Sequence, residues 1–152
     1  MGACWPGGET EEQMTPQESV RVIIVGVGHL GAWLAVLLDK QGYQVTVIAP
    51  NDEEFERLGT HFRGTTIRGN GTDTETLEQA QIQQAQVVVA LTNHDTKNLL
   101  ISQLAQHQYQ VPLVLCGLED PDFEAVYQAR GLTIITRTDI EVPRLLKALS
   151  PN

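Results

Sequence analysis

Gly26-Val27-Gly28-His29-Leu30-Gly31 is a G-x-G-x-x-G run between a short Val/Ile stretch and an amphipathic one. That spacing suits phosphate capture. Gly26 permits a tight turn out of a strand, Gly28 lets a phosphate approach the main chain with no Cβ in the way, and Gly31 lets a helix pack close to a sheet. Amides at the helix start, from about His29 and Leu30, then face the phosphates together with the positive end of the helix dipole. A glycine-rich turn without any ligand would use the same residues. The His29 imidazole is either a further phosphate donor or simply solvent-facing, and neither reading makes it catalytic.

In a dinucleotide site the second strand ends in Asp or Glu, whose oxygens accept the ribose hydroxyls. Here that strand ends Val47-Ile48-Ala49-Pro50-Asn51-Asp52, with no carboxylate at the expected place. Asn51 is a candidate for one ribose contact and Asp52 could reach back, but Asn51 serves equally well as a helix cap over Glu54. Asp52, Glu53 and Glu54 crowd the position with negative charge, and no Arg or Lys follows until Arg57. A 2′-phosphate would be poorly received there, so NADP is disfavoured.

Two polar loops belong to the same edge of the sheet, Arg68-Gly69-Asn70-Gly71-Thr72-Asp73 and Leu91-Thr92-Asn93-His94-Asp95. Asn70 is a candidate for the adenine edge and Thr92 for ribose or phosphate, with Gly71, Asn93 and Asp95 counted among the cofactor-binding residues of the same loops. Thr92 or Asn93 could equally cap the helix that follows, and the roles can coexist. Adjacent His94 and Asp95 rarely converge on one atom and no third ligand is suitably spaced, so no metal site is expected. His61 and His107 fall near helix ends and are expected to be exposed. No nucleophile elbow, P-loop or paired-carboxylate site is present in the sequence.

The elements that must hold these loops are short apolar runs alternating with amphipathic stretches. The runs are 20–26, 44–49, 65–68, 86–91, 111–116 and 132–136, rich in Val and Ile and mostly without alternation, as in strands buried on both faces. Helical spacing lies between them: Leu30, Leu34, Leu37 and Leu38; Phe55, Leu58 and Phe62; Leu77 and Ala80; Leu99, Leu100, Leu104 and Ala105; Phe123, Val126 and Tyr127. Asn51 with Glu54, Thr72 with Glu75, and Thr138 with Glu141 read as helix starts. Repeated βαβ units predict a Rossmann-like α/β domain, a doubly wound parallel six-stranded sheet of order 3-2-1-4-5-6, with its ligand crevice at the carboxyl ends of strands 1 and 4.

The chain has 152 residues, enough for one domain, which we place at 19–150 behind a polar, flexible tail at 1–18. Nineteen Asp and Glu against ten Lys and Arg give a net charge of −9, which argues against nucleic acid and anionic membrane partners. Backbone amides can still bind a small anion. Cys4 and Cys116 fit no disulfide or zinc spacing, which suggests a reducing cytoplasm. No apolar run nears the roughly 20 residues needed to cross a bilayer.

The chain resembles the RCK N-terminal domain family (TrkA-N or KTN), the cytoplasmic regulatory module of potassium channels and transporters. The resemblance runs from about Arg21 to Leu149. It rests on VIIVGVGHLG, VTVIAP, IRGNGTDTETLEQAQIQQAQVVVALTNHDTKNLL and VPLVLCGLEDPDFEAVYQARGLTIIT, in that order. The third segment is the most specific. Leu77, Ala80, Ile82 and Ala85 match its helix, and Thr92, Asp95 and Asn98 match its T-x-x-D-x-x-N loop. Three departures stand out: Asn70 replaces the usual Asp, Gly117 stands where many members have Arg, and the strand-2 acid is absent.

The resemblance implies a non-enzymatic sensor that binds NAD, AMP, ADP or ATP at the glycine loop and controls potassium transport from the cytoplasm, associated with a channel or transporter membrane subunit. Members pair through the helix after strand 6 and form rings. Residues 139–149, with Ile140, Val142, Leu145, Leu146 and Leu149, could supply a short version of that helix, in a homodimer or larger ring or packed on the domain's own sheet. The alternatives are an NAD-dependent oxidoreductase cofactor domain and a degenerate module that binds no ligand.

Overall fold

The computed structural model describes residues 20–136 and 146–149. Strands β1 (Arg21–Val25), β2 (Gln44–Ala49), β3 (Thr65–Arg68), β4 (Val87–Ala90), β5 (Leu113–Leu118) and β6 (Thr133–Thr136) form one sheet in the order β3-β2-β1-β4-β5-β6. Every neighbouring pair is parallel. Ile24 of β1 lies opposite Val47 of β2 and Val89 of β4, so the middle of the sheet is a row of branched aliphatics.

The helices divide between the faces as right-handed crossovers require. The chain runs outward from β1 to β3 and then returns across β1 to β4. Helices α1 (His29–Lys40) and α2 (Asp52–Phe55) therefore cover one face, and α3 (Thr74–Gln79), α4 (Asp95–Gln103) and α5 (Glu124–Gln128) the other. Each face has its own core. Val22 and Ile24 pack with Val27, Ala32 and Ala35, whereas Ile23 and Val25 pack with Leu77, Ile82 and Ile101. The reversal leaves a gap between β1 and β4 at their carboxyl ends, where neither crossover covers the sheet edge.

Several sequence expectations shift. β3 is not buried on both faces: Thr65, Thr66 and Arg68 are exposed, because it is the edge strand. In α1 the buried residues are Gly31, Ala32 and Ala35, while Leu30 and Leu37 are exposed and Leu34 and Leu38 are only partly covered. Small residues bring the helix axis close to the sheet and turn the leucines outward. In α4 it is Asn98, Leu99, Ile101 and Ser102 that are buried, and Leu100 is exposed. A wider helical turn at Leu104–Gln108 continues α4 and buries Ala105. Val126 of α5 is exposed, while Tyr127 packs against the core.

Asp73, not Thr72, caps α3, its carboxylate accepting from the Glu75 amide at 3.1 Å. Asn51 caps α2, accepting from the Glu54 amide at 3.3 Å. His94 occupies the cap position of α4 without a capping side chain, so neither Thr92 nor Asn93 is the cap. The tail at 1–18, the Thr138–Glu141 pair and Ile140, Val142 and Leu145 lie outside the described residues. Leu146 and Leu149 are exposed.

Candidate functional site

β1 runs into the glycine loop, and the loop is pinned at both ends. The Gly26 amide donates to the Ile48 carbonyl at 2.9 Å, and the Ala32 amide donates to the Gly28 carbonyl at 2.9 Å, the first i→i−4 bond of α1. His29, Leu30 and Gly31 precede that bond, so their amides have no partner within the helix.

The three glycines do different work. Gly26 has φ +106°, and a Cβ on it would lie 2.6 Å from the Leu91 carbonyl oxygen. A Cβ on Gly31 would collide with the Gly26 carbonyl. Gly28 is in extended conformation, φ −73° and ψ −171°, and a Cβ on it would meet nothing within 4 Å. Gly26 and Gly31 thus hold the fold together, whereas Gly28 keeps a space clear.

That space is a cavity of about 970 Å³ at the carboxyl ends of β1 and β4. Of the residues singled out from the sequence, Gly26, Gly28, His29, Leu30, Gly31, Asn70, Gly71, Thr92, Asn93 and Asp95 line it. Asn51 does not, being turned to the start of α2. The volume is at the upper end of small-molecule pockets and leaves room for more than a mononucleotide.

The side chains around it are largely committed to one another. The Asn70 carboxamide oxygen accepts from the Thr72 amide at 3.0 Å and the Thr72 hydroxyl at 2.8 Å, forming a tight turn that leaves its NH₂ group for a ligand. Gly71 is also a packing position, since a Cβ there would strike Val25 and lie 3.2 Å from Ile101. Asn98, 2% exposed, accepts from the Thr92 amide at 2.9 Å and the Thr92 hydroxyl at 2.6 Å. It donates to the Thr92 carbonyl at 3.1 Å and the Gly117 carbonyl at 2.9 Å. All four hydrogen-bonding positions of its carboxamide are thereby used, tying the loop after β4 to β5. The Thr92 hydroxyl is part of that knot, not held free for ribose.

Asp95 makes a second tie. Its two carboxylate oxygens accept from the Glu119 amide at 2.9 Å and the Asp120 amide at 3.1 Å. Cys116, fully buried nearby, has its thiol pushed up by burial, with the Asp95 charge adding to the effect. The thiol is therefore protonated and inert at neutral pH. Among the described residues no group of three His, Cys, Asp or Glu could hold a metal, and no helix is long and apolar enough to cross a membrane.

Lining residues that sequence reasoning did not assign to the site include Trp33, Glu54, Arg57 and Lys97. Arg57 reaches furthest, its Nη1 donating to the Val27 carbonyl at 2.9 Å from 30 residues away. Its number and type carried no signal of that contact. At the outer edge Arg68 pairs with Asp52 at 3.5 Å, both side chains well exposed.

Comparison with known proteins places this geometry in context. Residues 22–138 match the TrkA-N domain family. The Trk system potassium uptake protein TrkA of Streptomyces coelicolor is 31% identical over 133 residues, which cover 88% of this chain and 60% of that protein. This chain therefore spans less than two thirds of that relative. Among solved structures, the Kef CTD of Shewanella denitrificans in AMP-bound form superposes with a TM-score of 0.71 at 24% identity, covering 85% of this chain and 79% of that one. The GsuK channel bound to NAD gives 0.71 at 19% identity, covering 84% of this chain and 23% of that one. The last two share the fold.

Proposed function

The chain belongs to the TrkA-N domain family, and from that premise we propose that it is a non-catalytic nucleotide sensor whose ligand, NAD or AMP, ADP or ATP, controls potassium transport. The observation that carries the reading is that a Cβ on Gly28 would meet nothing within 4 Å, where the helix-start amides border the crevice. Binding of NAD by a similarly folded channel and of AMP by a similarly folded Kef domain supports the choice of ligand class.

Phosphate binding would rest on the His29, Leu30 and Gly31 amides and the dipole of the 12-residue α1. Asn70 would meet the adenine edge. Regulation requires only that the ligand prefer one of two arrangements of a larger assembly. We assign that assembly to a homodimer or ring formed through residues 139–149, acting on a channel or transporter membrane subunit at the cytoplasmic face.

Calorimetric titration with NAD, NADH, AMP, ADP and ATP tests the reading. Micromolar binding of at least one of them without redox turnover is the expected result. Hydride transfer to or from a small substrate would move the protein to the oxidoreductases. Silence toward all five would leave an interaction module without ligand.

A further inference from the structure

The segment after β2 contains Asp52, Glu53, Glu54 and Glu56 around a lone cation, Arg57. In such company a guanidinium ordinarily pairs with a carboxylate. Arg57 forms no ion pair with any described residue. It turns instead to the glycine loop and spends one N–H on the Val27 carbonyl. Of the five N–H donors of a guanidinium, the others remain unused at the wall of the crevice that Ala49, Pro50 and Glu54 complete.

The geometry points to Arg57 as a phosphate-binding side chain, one that takes a phosphate ester carried on the ribose of the bound adenosine compound. This rests on the nucleotide reading above. Three features of the same wall agree. No carboxylate stands at the end of β2 to claim the ribose hydroxyls, since Ala49 is there. Asn51 is held by its cap, and Asp52 is paired with Arg68. Glu54 is the one acid that lines this wall, and the Arg57 guanidinium beside it offsets the repulsion an ester phosphate would face.

Anchoring matters as much as charge. A bond to a main-chain carbonyl fixes the guanidinium plane without neutralising it, and a planar fork so held can meet two phosphate oxygens at once. The ester can sit at the 5′ position, as in AMP, or at the 2′ position, and the chemistry of recognition is the same for both.

The test compares wild type with Arg57→Met and Arg57→Lys in calorimetric titrations with adenosine, adenosine 5′-monophosphate and adenosine 2′-monophosphate. Arg57 is exposed, so the variants should fold, which thermal unfolding checks. Arg57→Met should lose about 10- to 100-fold in affinity for one of the monophosphates while adenosine changes by less than about 3-fold. Arg57→Lys should recover part of that loss, having the charge without the fork. The ester more affected identifies the position of the phosphate. Equal losses for adenosine and both esters, or no loss for any, would overturn the Arg57 assignment alone. A wild-type protein that bound none of the three would overturn the nucleotide reading and this assignment with it.

Discussion

Replacing Gly28 with Val should separate binding from folding. The native backbone there, φ −73° and ψ −171°, is one that a β-branched residue adopts readily, and its Cβ would meet no atom within 4 Å. Valine is a poorer helix cap than glycine but restricts the unfolded chain more, and the two effects are each within about 1 kcal/mol and opposite in sign. The melting temperature should therefore shift by no more than about 4 °C for a chain of this size. Binding should suffer heavily, because the new methyl groups occupy the volume where phosphate would approach the His29 and Leu30 amides. Hydrogen bonds donated to charged acceptors are each worth about 1.5–3 kcal/mol, so losing both implies at least about a 10²-fold fall in affinity. Calorimetry with the best wild-type nucleotide, beside a thermal melt, reads both quantities. Gly31→Ala is the contrasting control, since its Cβ collides with the Gly26 carbonyl and should cost stability outright. Undiminished affinity in a folded Gly28→Val protein would refute the phosphate assignment, and a large fall in melting temperature would refute the claim that the space is open.

Other outcomes follow from the side-chain ties. Asn98→Asp turns a carboxylate oxygen toward the Thr92 and Gly117 carbonyls that now accept from the carboxamide, so chemical denaturation should show a loss of about 2–4 kcal/mol at pH 7. Protonation restores a donor, so part of that loss should return as the pH falls toward 4. Cys116, read alone in a Cys4→Ser background, should react with a thiol reagent only as fast as the protein opens, and complete labelling of the folded state within seconds would contradict its burial. Because burial raises that thiol, its neutral form favours the folded state. Its contribution is complete below the ordinary thiol value of 9.0 and declines as the pH rises above it, which urea unfolding across pH 7 to 10 would detect. Gln81 sits at φ 63°, and Gln81→Gly should raise stability by about 1 kcal/mol in the same assay.

What could be read from the residues alone was the set of local patterns. Val/Ile runs broken by helical spacing determined a parallel sheet and its strand order, since short right-handed crossovers permit few others. The glycine spacing located the turn, and the loops at 69–73 and 91–95 fell at one edge because helical crossovers return every strand in the same direction. Tertiary structure decided everything that depends on which residue meets another across the sheet. It made β3 an exposed edge and turned Leu30 and Leu37 outward. It also tied Asn98 to Gly117 and Asp95 to the Glu119 and Asp120 amides, and laid Arg57 against Val27. Such contacts join residues 19 to 30 positions apart, beyond the reach of helix or strand periodicity. Packing of whole elements sets them, because only then is it settled which polar groups lie close enough to satisfy one another.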